Sequence, residues 1–293
     1  MKLLTVRHAT TYRYSEPVVF GQHRLMLRPR DSHDLRIVEA SLTISPPGRI
    51  RWMHDVFHNS VALVEFEEPA AELTIASLLV MERFGLHRPD FPIAPEAESY
   101  PFMHSADDRS DLGRLRDRHY QDRGQVETWA RQFILEVPTN TFNLLARINA
   151  AIRGSFTYNA RDEEGTQSPH VTLERKSGTC RDFALLFIEA VRSLGFGARF
   201  VTGYLYDPAL DGGGGTVQGA GATHAWAEVY LPGAGWVEFD PTNGLIAGEN
   251  LIRVAVTRDP SQAVPIGGTF AGEGEFLGMH VDVTVTAENA RSQ

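Results

Sequence analysis

Cys180 is the only cysteine in the 293-residue chain. It stands directly after Ser177-Gly178-Thr179, at the head of the segment CRDFALLFIEAVRSL. A helix start leaves backbone N–H groups free and carries the positive end of the helix dipole, and both favour thiolate over thiol. The same N–H groups can stabilise an oxyanion during acyl transfer. A structural cysteine has no reason to sit there, since Ser, Thr, Asp or Asn caps a helix better. A lone cysteine is nonetheless more often a small buried hydrophobe than a reactive group, so a second signal has to decide.

That signal lies on two later segments. HAWAEVYL puts His224, Trp226, Glu228 and Tyr230 on one strand face, and GWVEFDPT puts Trp236, Glu238 and Asp240 on one face. Pro-Gly-Ala-Gly joins them as a hairpin. A three-residue loop centred on Gly233 pairs residue 231 with 235 and Tyr230 with Trp236. His224 then lies diagonal to Asp240, at roughly 7 to 8 Å between α-carbons. A four-residue loop would put the two on opposite faces. On the first register, Asp240 is expected to accept the Nδ1 proton of His224 and leave Nε2 facing outward, the orienting arrangement of a nucleophile–base–acid triad. Singly, a strand histidine and an Asp before Pro241 are ordinary. Their joint occurrence on one hairpin, downstream of a helix-opening cysteine, is not.

The elements that must position these residues are legible in outline. Residues 180 to 194 have the strongest helical pattern, with Phe183, Leu186, Phe187, Ala190, Val191 and Leu194 on one stripe and Gly195 at the C-terminal stop. QVETWARQFILEV and TFNLLARINAAIRGSFTY read as two earlier helices, the second stopped by Gly154. ARFVTGYLY is a strand, and MHVDVTVTA is a final strand after a Gly/Pro-rich passage. The first hundred residues alternate in strand period, with Pro-Pro-Gly and Glu-Pro breaks, and no helical segment interrupts them. The expected division is a β-rich N-terminal domain over 1–105, a polar linker over 106–124, a catalytic core over 125–255 and a tail over 256–293.

The segments SGTCRDFALLFIEAVRSLGFGARFVTGYLY and THAWAEVYLPGAGWVEFDPTN, in this order, resemble the bacterial branch of the transglutaminase-like superfamily. The Cys–His–Asp order, the Gly before the nucleophile, the Ala-Trp after His224 and the Asp-Pro-Thr ending carry the likeness. DVFHNSVALVEF and its β-rich surroundings resemble the N-terminal domain that often precedes such cores. The resemblance implies an α+β fold: a papain-like core, with the nucleophile helix packed on an antiparallel sheet that bears His and Asp, behind a β-sandwich-like N-terminal domain. It implies Cys180, His224 and Asp240 as catalytic residues of a cysteine-nucleophile acyl-transfer enzyme. A peptidase or amidase is the leading expectation. Transamidation and acyl-CoA-dependent N-acetyl transfer are the enzymatic alternatives, and an inactive binding protein on the same fold is the non-enzymatic one. Leu185 stands where the family pattern commonly has a His in the nucleophile helix.

The remaining features narrow the field. A net charge of −9 argues against a nucleic-acid partner. The arginines of 109–123 alternate with aspartates and read as a solvated mixed-charge stretch. No apolar run reaches membrane-spanning length, and MKLLTVRHATTYRY lacks a signal-peptide apolar region, so a cytoplasmic protein without membrane partners is expected. The substrate expected is a peptide or amide. His54 and His58 lack the Glu of a zinc helix in a β-rich region, and no acidic calcium loop occurs, so neither metal nor cofactor is expected. Asp182 reads equally as a helix-start carboxylate or a substrate contact. Trp226 and Trp236 read equally as cleft lining or sheet packing. The glycine-rich segment 211–221, just ahead of His224, is a candidate lid, although a plain connector suits it slightly better.

Overall fold

The computed structural model describes residues 2–84, 92–159, 165–206, 223–248 and 250–289. The candidate lid, 211–221, lies outside the described residues.

The N-terminal region consists of β1 (Lys2–Phe20), β2 (His23–Arg28), β3 (Leu35–Ser45), β4 (Gly48–His54), β5 (Ser60–Phe66) and β6 (Ala70–Arg83). They form two antiparallel sheets, one built on β1–β6–β3 and one on β2–β5–β4. The period-2 alternation is the cause: Leu4, Val6, His8 and Thr10 turn inward along β1 while their neighbours are more exposed. Tyr14, Val18, Phe20, Leu25, Leu27, Ala62, Val64, Leu73 and Ile75 fill the space between the sheets.

The core follows with α1 (Ala106–Leu112), α2 (Gln125–Arg131), α3 (Thr141–Ser155), β7 (Thr157–Tyr158), α4 (Pro169–Arg175), β8 (Ser177–Gly178) and α5 (Cys180–Ser193). Then come β9 (Gly197–Leu205), β10 (Thr223–Leu231), β11 (Gly235–Asp240), β12 (Leu245–Ile246) and β13 (Leu251–Thr257). The last five form one antiparallel sheet in the order β12–β11–β10–β9–β13. The apolar stripe of α5 packs on it: Phe183, Phe187 and Val191 share a cluster with Ala225, Ala227, Val229, Val237 and Phe239. Each such large side chain contributes about 1.5–3 kcal/mol by leaving water.

The opposite face of the core sheet is also covered, and the N-terminal region covers it. Tyr204, Tyr206, Ile252 and Val254 pack with Leu4, Val6, Leu79 and Met81, and Ala255 packs with Met26 and Val61. Asn59 clamps β13 at both polar groups of one residue, donating to the Val256 carbonyl at 2.7 Å and accepting from its N–H at 2.9 Å. The final strands return to the N-terminal region: β14 (Ile266–Gly267) pairs with β2, while β15 (Phe270–Ala271) and β16 (Phe276–Asn289) pair with β1.

Local departures from the sequence reading have physical causes. Of QVETWARQFILEV only Gln125–Arg131 is helical. Beyond it Phe133 and Ile134 pack on the core without the helix, Leu135 and Val137 are exposed, and Val137-Pro138 ends the segment. Gly154 does not stop α3, which runs through Ser155. The polar stretch after Tyr100 is ordered against α5. There buried Glu189 accepts from the backbone N–H groups of His119 and Tyr120 and pairs with Arg118 and Arg192. Charge patterning alone cannot separate a solvated stretch from one pinned by a buried carboxylate.

Candidate active site

Thr179 caps α5, and its hydroxyl accepts from the N–H of Asp182, which returns a carboxylate bond to the Thr179 N–H at 2.8 Å. This capping box settles the structural part of Asp182. The carboxylate is fully buried and also accepts from the Gln167 N–H at 2.7 Å and the Thr179 hydroxyl at 3.1 Å. It therefore fixes the backbone on both sides of the helix start rather than facing a substrate. Cys180 follows as the first helical residue, buried but for 7% of its surface. Leu185 is wholly buried in the helix.

The hairpin has the three-residue loop. Leu231 pairs with Gly235, Tyr230 with Trp236 and Ala227 with Phe239, and Gly233 takes the positive φ the turn demands, 84°. Continued past the last pair, this register sets His224 diagonal to Asp240. Their side chains meet, with His224 Nε2 and Asp240 Oδ2 2.8 Å apart and both fully buried.

The nitrogen that makes this contact is Nε2, not the expected Nδ1. The diagonal spacing explains the reversal: Nε2 is the ring atom farthest from the backbone and can bridge the strands, while Nδ1 stays near its own strand and is left on the Cys180 side. Nδ1 is buried and makes no formed hydrogen bond, yet Cys180 is close enough to interact with the ring.

Asp240 is held on every side. Oδ2 also accepts from Asn243 Nδ2 at 2.9 Å, and Oδ1 accepts from the N–H groups of Thr242 at 2.9 Å and Asn243 at 3.3 Å. Burial resists its charge, but the imidazole and these donors prevail and hold the carboxyl below its ordinary range. Burial likewise opposes a charged His224, and the Asp240 charge and hydrogen bond, helped by Cys180, outweigh it and raise the imidazole to about 10. An imidazolium beside a sulfur at a helix start is the electrostatic setting of a thiolate nucleophile.

Trp226 stacks on the His224 ring, centroids 6.0 Å apart, and its indole N–H donates to Glu238 Oε1 at 3.2 Å. It is wholly buried with Val201, Leu205, Leu251 and Val256, so it packs the sheet. Trp236 carries the Arg199 guanidinium 4.0 Å over its ring and faces a cavity of about 290 Å³ lined also by Arg30, Arg83, Glu238 and Arg253. Cys180, His224 and Asp240 are not among the residues that line that cavity. His54 and His58 stack on each other at the surface. Among the described residues no group of three or more His, Cys, Asp or Glu is placed to hold a metal, and no helix is long and apolar enough to cross a membrane.

Sequence reasoning missed Tyr158, which the short parallel pair β7–β8 brings to the head of α5. No local signal marks it, because the pairing joins two-residue strands separated by α4. Asn243 could have been found, since an Asn three residues after Asp is a common turn partner.

Residues 4–82 match the bacterial transglutaminase-like N-terminal region, and residues 127–241 match the transglutaminase-like superfamily core. An uncharacterised protein of Mycobacterium tuberculosis is 29% identical over 297 residues, covering 96% of this chain and 91% of its own. One from Mycobacterium leprae is 25% identical over 299 residues, covering 96% and 98%. The crystal structure of a candidate cysteine protease from Cytophaga hutchinsonii shares the fold, with a TM-score of 0.73 at 19% identity, over 100% of this chain and 92% of that one. The chain therefore belongs to the transglutaminase-like superfamily, with the bacterial transglutaminase-like N-terminal region ahead of its core.

Proposed function

We propose that the protein is a cysteine hydrolase, a peptidase or amidase that cleaves an amide through a thioacyl-enzyme on Cys180. The observation that carries this reading is the placement of the buried His224 ring between the Asp240 carboxylate and the Cys180 sulfur.

In the proposed cycle, Cys180 Sγ attacks the substrate carbonyl and forms a C–S bond, while the C=O π pair moves onto oxygen. The Cys180 and Arg181 N–H groups at the head of α5 make no hydrogen bond within the described structure and are oriented as helix-start donors for that oxygen. The tetrahedral adduct collapses, the C–N bond breaks, and His224 gives its proton to the departing amine. Water then attacks the thioester with neutral His224 as base, releasing acid and free thiol. Asp240, which Thr242 and Asn243 keep charged, orients the imidazole and stabilises its cation throughout.

A quenched-peptide library tests the reading, assayed with and without an added primary amine. The expected result is cleavage that Cys180→Ala abolishes, with free acid as the main product. Amide product in place of acid would make the protein a transamidase. Turnover that survives Cys180→Ala would refute the reading.

A further inference from the structure

Tyr158 lies at the nucleophile, and the cycle above leaves it without a task. It is clamped in place: β7 pairs with β8 so that Tyr158 lies opposite Gly178. The Asn159 N–H donates to the Gly178 carbonyl at 2.9 Å, and the Thr157 N–H donates to the Lys176 carbonyl at 2.8 Å. Its ring meets Phe183 edge to face, centroids 6.4 Å apart at 73°. Phe183 is one turn beyond Cys180 on the same helix face, so the phenol lies along the first turn of α5. Its hydroxyl interacts with the Cys180 side chain across the head of α5. Burial, then the charges of Cys180 and Asp182 and the bond to Cys180, push the phenol up to about 12. It therefore stays protonated at working pH, and its O–H is always available to donate.

We propose that Tyr158 is a further catalytic residue, whose hydroxyl donates to the Cys180 thiolate before attack and to the substrate oxyanion after it. The role rests on the acyl-transfer reading. As the C–S bond forms, negative charge leaves sulfur and appears on the carbonyl oxygen bound to the same carbon. A donor set beside the sulfur follows that charge with a small torsion, and the helix-start N–H groups supply the second contact. Tyr158 keeps its proton throughout, and His224 alone protonates the leaving amine. The side-chain contribution to the oxyanion site thus comes from a strand ahead of the nucleophile helix, and the backbone contribution from the helix itself.

Tyr158→Phe tests this, because it keeps the ring and its Phe183 contact and removes only the hydroxyl. Two arms are read beside the melting temperature. In the first, iodoacetamide alkylation of Cys180 against pH needs no substrate. Its rate at neutral pH is expected to fall about tenfold in the variant, the effect of losing one hydrogen bond to a charged group. In the second, acylation by an activated ester is expected to slow roughly tenfold to a hundredfold, with the melting temperature unchanged. Either arm at its wild-type value overturns the proposal, as does a change that appears only together with a lowered melting temperature. If no acyl donor modifies wild-type Cys180, the acyl-transfer reading fails by itself, and the alkylation arm still decides whether Tyr158 holds the sulfur.

Discussion

Replacing Asp240 with Asn removes one charge and almost no volume, and its consequences can be worked from the contacts. The carboxylate receives four donors: His224 Nε2 and Asn243 Nδ2 on Oδ2, and the Thr242 and Asn243 N–H groups on Oδ1. The amide of Asn has one acceptor oxygen. If that oxygen stays with the two backbone donors, the NH2 group faces His224 Nε2 and Asn243 Nδ2, donor against donor. The charge-assisted bond to His224 is lost, at about 1.5–3 kcal/mol, a factor of roughly 10 to 150. Nε2 must also turn acceptor, which moves the ring proton to Nδ1 and removes the lone pair from the Cys180 side. Such a tautomer reversal costs up to about 10⁴ in a related triad, so a loss of about 10² to 10⁴ in kcat is expected.

The pH dependence carries the sharper signature. With the carboxylate gone, burial dominates His224 and lowers its pKa from about 10, so the alkaline limb of activity shifts toward lower pH. The stability signs follow separately. A raised His224 contributes stability that is fully present below its ordinary value of 6.5 and is lost as pH rises through about 10. A depressed Asp240 contributes stability that is present above its ordinary value of 3.8 and is lost as pH falls through its lowered value. The gap in melting temperature between wild type and Asp240→Asn is therefore widest between those two ordinary values and closes toward both extremes. Calorimetric scans across pH and a kcat–pH profile measure both. An unmoved alkaline limb with wild-type kcat would refute this reasoning.

Three further outcomes are expected. Asp182→Ala strands buried donors of Thr179 and Gln167 and is expected to cost about 2–4 kcal/mol in urea unfolding, with slowed Cys180 alkylation; wild-type values in both would show that the capping box does not set the nucleophile. Gly203→Ala would bring its Cβ to 2.0 Å from the Ile252 carbonyl oxygen and 2.8 Å from the Trp226 ring, so a loss of about 1–3 kcal/mol is expected in thermal unfolding, with a weakened His224 contact. Truncation after Glu275 removes β16, the strand paired with most of β1, and exposes Leu4 and Val6, so soluble yield and melting temperature are both expected to fall; an unchanged melting curve would make β16 dispensable.

The parts of this molecule legible in sequence are those fixed by short-range rules. The α5 stripe, the Gly233 loop and the diagonal of His224 and Asp240 follow from periods of 3.6 and 2 and from one positive-φ glycine. The parts that were not legible depend on distant partners. The tail strand finds β1 from the other end of the chain. Tyr158 reaches Cys180 through a two-residue parallel ladder. The ring nitrogen facing Asp240 depends on side-chain reach across the strands, which spacing along the chain does not encode.

The central claim is an acyl group carried on Cys180 sulfur and delivered there with the help of His224. Intact-protein and peptide mass spectrometry after a brief pulse of an activated acyl ester tests it directly, because the chain has a single cysteine and the label can be placed without ambiguity. The account predicts one acyl adduct on the peptide containing Cys180, released by hydroxylamine, slowed at least a hundredfold in His224→Ala and absent in Cys180→Ala. An adduct elsewhere, or one that forms as fast without His224, would contradict it.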